Sequence, residues 1–138
     1  MTCVIDASVA LAWLMQDEHS PESDRLFESM PGEGAFVPSL WRLEVANALQ
    51  VAVRRNRIDV HYRDGAIQRL SRLPIEVDPE TDAHAWTTTL HLAHRHNITV
   101  YDAAYLELAL RRGVPLASRD QHLVKAALDS GVTVLPSD

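Results

Sequence analysis

A single cysteine, Cys3, stands among the 138 residues. It excludes an intrachain disulfide and every paired-cysteine zinc pattern, and it agrees with a reducing compartment. Any metal must therefore be held by oxygen or imidazole. No apolar run approaches the roughly 18 residues that a bilayer-spanning helix needs, and the opening Met1-Thr2-Cys3-Val4-Ile5-Asp6 lacks the basic stretch of an export signal. The expectation is a soluble, cytoplasmic chain with no membrane partner. Glycine is scarce and none forms an elbow beside Ser8, so Ser8 is not read as a serine nucleophile. Aromatics make up only 6%. Trp13, Trp41 and Trp86 fall in helical segments and are read as core or subunit-interface residues rather than base-stacking platforms. An overall basic excess is missing too: the net charge of −6 argues at first against a polyanionic partner.

The apolar content of 46% and charged content of 23% are those of a globular chain, and 138 residues is the usual size of one domain, taken here as 1–138. Its charge is unevenly spread. Residues 1–41 carry one basic and seven acidic groups, and residues 73–138 carry five and nine. Residues 42–72 hold Arg42, Arg54, Arg55, Arg57, Arg63, Arg69 and Arg72 against Glu44, Asp59 and Asp64. Solvated helix faces account for such an island unless an anionic-substrate site lies beside it. In that case Arg54, Arg55 and Arg57 are candidates for contact with an anionic polymer.

Short apolar runs alternate with helical patterns along the chain. Cys3-Val4-Ile5, Ala35-Phe36-Val37, Ile75-Glu76-Val77, Leu116-Ala117 and Val132–Leu135 read as strands. Helices are expected from about Val9 to Asp17, from the Ser20 cap to a stop at Pro31-Gly32, and over about 40–55, 59–73, 80–96, 103–112 and 121–130. Asn97, Gly113 and Gly131 suit helix ends, and Pro136 closes the last strand. Strands joined by helices imply a mainly parallel sheet of four or five short strands in an α/β fold. Ligands of such sheets sit at the carboxyl ends of the strands, where the strand order switches.

Asp6 directly follows the first strand and Asp120 closely follows Leu116-Ala117, while Asp102 opens a helix. Each alone could serve only as a helix-start acid. Thr99 with Asp102, and Ser118 with Gln121, have the spacing of capping-box starts. Glu44 is different, because its helical neighbours Leu40, Trp41, Asn47 and Ala48 form a largely apolar face that turns its carboxylate inward. An inward carboxylate needs a cation or donors, or else takes up a proton. Arg42 is one partner to consider, although adjacent helical residues do not face each other. If Asp6, Glu44, Asp102 and Asp120 converge, their repulsion calls for a divalent ion, and hard oxygen ligands without thiolate select Mg2+ or Mn2+. Such an ion suits phosphodiester hydrolysis by activated water.

Four segments, Val4-Ile5-Asp6-Ala7-Ser8, Leu43 to Leu49, Tyr101 to Ala109 and Leu116 to Asp120, together resemble the PIN-domain nucleases over the whole chain, particularly the VapC-like ribonuclease toxins. The resemblance implies a three-layer α/β/α sandwich. It implies Asp6, Glu44 and Asp102 as core metal-binding acids, Asp120 as the fourth, and Ser8 and Ser118 as accessory groups. Ser118 stands where the family often has threonine, which keeps the hydroxyl. Also implied are Mg2+- or Mn2+-dependent endoribonuclease activity leaving a 5′-phosphate and a 3′-hydroxyl, homodimers, and inhibition by a cognate antitoxin protein.

Other readings of the same residues compete with it. His84, His91, His94 and His96 crowd one helical stretch, but no acid of the right spacing joins them, and surface histidines are the ordinary case. A phosphoacceptor domain needs a middle aspartate and a late lysine, for which Asp78 and Lys125 are poor substitutes. A hydrolase with Asp6 as nucleophile usually wants a second aspartate where Ser8 stands. The non-enzymatic alternative is an interaction module whose acidic edge docks an arginine-bearing partner.

Overall fold

The computed structural model describes residues 2–135. Five parallel strands, β1 (Cys3–Ile5), β2 (Ala35–Val37), β3 (Ile75–Val77), β4 (Leu116–Ala117) and β5 (Val134–Leu135), form one sheet in the order β3-β2-β1-β4-β5. Cys3, Val4 and Ile5 are fully buried, as a central strand covered on both faces requires. β1 pairs with β2 and with β4, so the strand order reverses at β1 and β4. Backbone bonds from Asp6 N to Ala117 O and from Ser118 N to Leu135 O carry the ladder just past the strand ends, where the chain turns polar.

The connections run through helices α1 (Ala7–Leu14), α2 (Pro21–Glu33), α3 (Trp41–Arg54) and α4 (Val60–Ser71). Beyond β3 come α5 (Thr81–His84), a π-helical turn over Ala85–Thr89, α6 (Leu90–His96), α7 (Val100–Arg112) and α8 (Gln121–Asp129). α1 packs on α2 and α3, and α3 on α4, while α7 packs on α6, α8, β1 and β4. Right-handed crossovers put these two groups on opposite faces of the sheet, giving the expected α/β/α layers. Among the described residues, no helix is long and apolar enough to cross a membrane.

Several boundaries differ from the sequence reading for local reasons. Pro31-Gly32 does not stop α2, because a proline in the last turn loses only one helical bond; the stop is Gly34. There φ is +69° and an added Cβ would stand 3.1 Å from the Pro74 carbonyl oxygen. The helix expected over 80–96 is interrupted by the π turn, which contains the β-branched run Thr87-Thr88-Thr89. α1 ends at Leu14, with a separate 3-10 turn at Gln16–Glu18. α7 starts earlier than Ala103, at Val100, and β5 later than Val132, at Val134. Pro136 lies outside the described residues.

Candidate metal and active site

Asp6 is the N-cap of α1, which fixes it where β1 ends, beside β4. Its Oδ1 accepts from Val9 N at 3.1 Å and from the Ser8 hydroxyl at 2.6 Å, and its Oδ2 accepts from the Ser118 hydroxyl at 2.5 Å. Each hydroxyl in turn accepts a backbone N–H, Ser8 from Arg119 and Ser118 from Asp120, both at 3.0 Å. With an N–H arriving at the oxygen, each serine proton is directed to Asp6. The two serines therefore lock the Asp6 carboxylate in rotation and tie the end of β1 to the loop after β4.

That loop delivers Asp120, whose Oδ1 caps α8 by accepting from His122 N at 2.9 Å and Leu123 N at 3.0 Å. The expected Ser118 cap to Gln121 is thus corrected: Asp120 holds the N-cap, and the Ser118 hydroxyl is spent on Asp6. Thr99 does cap α7 as expected, accepting from Asp102 N at 3.0 Å and placing Asp102 in the first turn. Glu44 lies in the first turn of α3, half-buried. Its Oε1 accepts a close hydrogen bond from the hydroxyl of Tyr105, one turn after Asp102 on α7. Arg42 is exposed, and among the described residues it forms no ion pair with Glu44.

The acids act on one another. Burial, then repulsion by Asp120, Asp6 and Glu44, pushes Asp102 up to about 6. Burial also raises Glu44, helped by Asp6, although the Tyr105 hydrogen bond pulls the other way. Asp6 is raised chiefly by burial, against its three hydrogen bonds, with Asp120 adding to the rise. Carboxylates from β1, α3, α7 and the β4–α8 loop therefore share one electrostatic neighbourhood at the switch point. Among the described residues, none of the four forms an ion pair.

Asp78 offers the contrast. It follows β3, has no exposure, and is gripped by Arg111 through two bonds of 3.0 and 2.8 Å and by Arg112 at 3.1 Å. Hydrogen bonding from Arg111 leads in holding its carboxyl down to about 2. Asp78 is thus a structural ion-pair residue, which disposes of the phosphoacceptor reading.

The donor set, four carboxylates and no thiolate, fits a hard divalent cation. Among the described residues, no group of three or more His, Cys, Asp or Glu side chains is arranged to hold a metal ion by itself. An ion that keeps several waters and takes few carboxylates directly, as Mg2+ does, matches so open a set. Of the histidines in the stretch from His84 to His96, His91 and His94 are exposed, His96 Nε2 meets the Ser130 hydroxyl at 3.2 Å, and His84 Nε2 is buried with no hydrogen-bond partner among the described residues.

Arg54, Arg55 and Arg57 lie at the far end of α3 or just beyond, about 15 Å along the helix from Glu44 at 1.5 Å per residue. Arg57 is tied to Asp17 at 2.7 Å. Arg119 is the basic residue adjacent to Asp120 in sequence; its backbone N–H meets the Ser8 hydroxyl at 3.0 Å, and its Nη1 donates to Glu18 O at 2.7 Å. Neither Arg119 nor Tyr105 was singled out from the sequence. The signal for Tyr105 was its three-residue spacing from Asp102, which puts both on one helical face.

Fold and site together define a parallel α/β domain with an uncompensated carboxylate cluster at its switch point. The PIN domain model matches residues 3–128, and the chain belongs to the PIN-domain family. Ribonuclease VapC3 of Pyrobaculum aerophilum is 28% identical over 125 residues, 91% of this chain and 94% of the relative. The crystal structure of PAE2754 from Pyrobaculum aerophilum superposes with a TM-score of 0.71 at 24% identity, covering 98% of this chain and 92% of that one. The crystal structure of VapBC2 from Rickettsia felis, bound to a DNA fragment from their promoter, gives a TM-score of 0.67 at 9% identity over 97% of each chain.

Proposed function

We propose that this chain is a divalent-cation-dependent endoribonuclease, the toxin of a toxin-antitoxin pair, with Asp6, Glu44, Asp102 and Asp120 as its cation-binding acids. One observation carries the reading. Asp78, a buried acid that serves the fold, is neutralised by two arginines, whereas among the described residues the four at the switch point have no basic partner and Asp102 is repelled by the other three. Such an arrangement opposes folding unless a cation is to enter it. Bound Mg2+ or Mn2+ would supply positive charge for a phosphate and acidity for a water. Ser8 and Ser118 hold the Asp6 carboxylate in one orientation, and the Thr99 cap fixes the turn that carries Asp102. Arg119 sits at the rim, next to Asp120, where a phosphate backbone passes. RNA extending along α3 meets Arg54 and Arg55; replacing these with Arg57 reduces the salt dependence of binding, and an unchanged salt slope removes them from the interface.

The relative named Ribonuclease VapC3 supports RNA as substrate, and the VapBC2 complex supports a cognate antitoxin as the protein partner. A homodimer is supported by apolar side chains left open on adjoining elements: Trp86 is 91% exposed, Tyr101 66% and Leu90 47%. RNA cleavage by purified, partner-free protein with Mg2+ or Mn2+, with and without chelator, tests the reading beside an Asp6→Asn variant. Cleavage that needs the cation and is lost in the variant is expected. Equal cleavage by the variant contradicts it, and no cleavage of any RNA leaves the acidic edge as a dock for an arginine-bearing protein.

A further inference from the structure

Glu44 differs from the other acids in how it is held. Asp6 and Asp120 cap helices and are fixed by backbone N–H groups, and Asp102 sits in a capped first turn. Glu44 has a longer side chain, projects from the opposite helical layer, and receives no backbone donor. Its one hydrogen-bond partner among the described residues is the hydroxyl of Tyr105, 61 residues away in sequence. Tyr105 is 1% exposed, so its ring is immobilised by packing. The bond reaches Oε1 and leaves Oε2 with no hydrogen-bond partner among the described residues.

We propose that Tyr105 is a positioning residue for the cation: its hydroxyl holds Oε1 of Glu44 so that Oε2 faces the ion, an inference that rests on the four acids being a cation site. The choice of side chain is informative. An arginine here would anchor Glu44 equally well but would cancel the charge the cation needs, as Arg111 does for Asp78. A phenol donates without cancelling it. One turn of α7 then supplies a ligand, Asp102, and the group that aims a second ligand, so α3 and α7 are set at a working distance across the edge of the sheet. Partners that orient ligands typically change metal affinity when removed, which gives the effect its expected size.

The test is Mn2+ binding to the full chain, read by electron paramagnetic resonance, in wild type, Tyr105→Phe, Glu44→Gln and the double variant. Tyr105→Phe should weaken binding about tenfold. It should add nothing in the Glu44→Gln background, and cleavage by Tyr105→Phe should recover as Mn2+ is raised. Wild-type affinity in Tyr105→Phe overturns the inference, as does an equal loss in both backgrounds, which would place the effect in the fold. If Tyr105→Phe does not fold, tyrosine difference absorbance on adding Mg2+ decides in a Tyr101→Phe background. A band shift that is lost with Glu44→Gln is expected, and an unchanged shift overturns the inference. Absence of saturable Mn2+ binding in wild type overturns the cation reading itself, and the inference with it.

Discussion

Asp78 and Asp102 show how one chain treats acids put to opposite uses. Arg111 and Arg112 lower the first to about 2, so its contribution to stability is present above the unfolded carboxylate value near 4 and is lost as pH falls toward 2. Asp102, raised to about 6, behaves in the opposite sense. Between roughly pH 4 and 6 the folded chain keeps a proton that the unfolded chain releases, so stability falls as pH rises through that window. Thermal midpoints of the metal-free protein should therefore decline from pH 4 to above 6, and Mg2+ should restore the loss by binding the ionised acids. A decline that Mg2+ leaves untouched would separate the repulsion from any cation site. Asp102→Asn should raise the metal-free stability by about 1 kcal/mol, a midpoint shift of roughly 4 °C, while abolishing cleavage. Calorimetry beside an activity assay checks both, and a lowered midpoint would contradict the account.

At the level of elements, the caps carry the site. Thr99→Ala removes the side-chain acceptor at the start of α7 and should cost about 1 kcal/mol in urea unfolding. Because the same turn holds Asp102, Mn2+ affinity should fall with it; an unchanged affinity would detach the cap from the site. Much of this was legible beforehand. The alternation of strands and helices, the three-residue step from Thr99 to Asp102 and the inward face around Glu44 all follow from local periodicity. The three-residue spacing of Ser118 to Gln121 imitates a cap, while its hydroxyl is claimed by Asp6, 112 residues away in sequence. Tyr105 lies in an apolar run and reads as core, which its ring is; the function of its hydroxyl depends on α3 arriving from the other layer. The π turn was hidden because the residues around it continue a helical pattern on both sides.

The whole molecule is organised by one reversal of strand order. β1 sits at the centre of the sheet and its end becomes the meeting point of both helical layers, so acids scattered over more than a hundred residues reach one edge. The identity of the layers was readable from the sequence; the exposed Trp86 was not, since the pattern gave core and interface alike. Trp86→Ser should shift sedimentation from dimer toward monomer without lowering the thermal midpoint of the monomer, and an unchanged sedimentation coefficient would place the interface elsewhere. The most direct measurement is anomalous scattering from crystals of the wild-type protein soaked in MnCl2. A Mn2+ peak among Asp6, Glu44, Asp102 and Asp120, about 2 Å from at least one carboxylate oxygen, is predicted. Manganese bound elsewhere on the chain, with nothing between these acids, would contradict it.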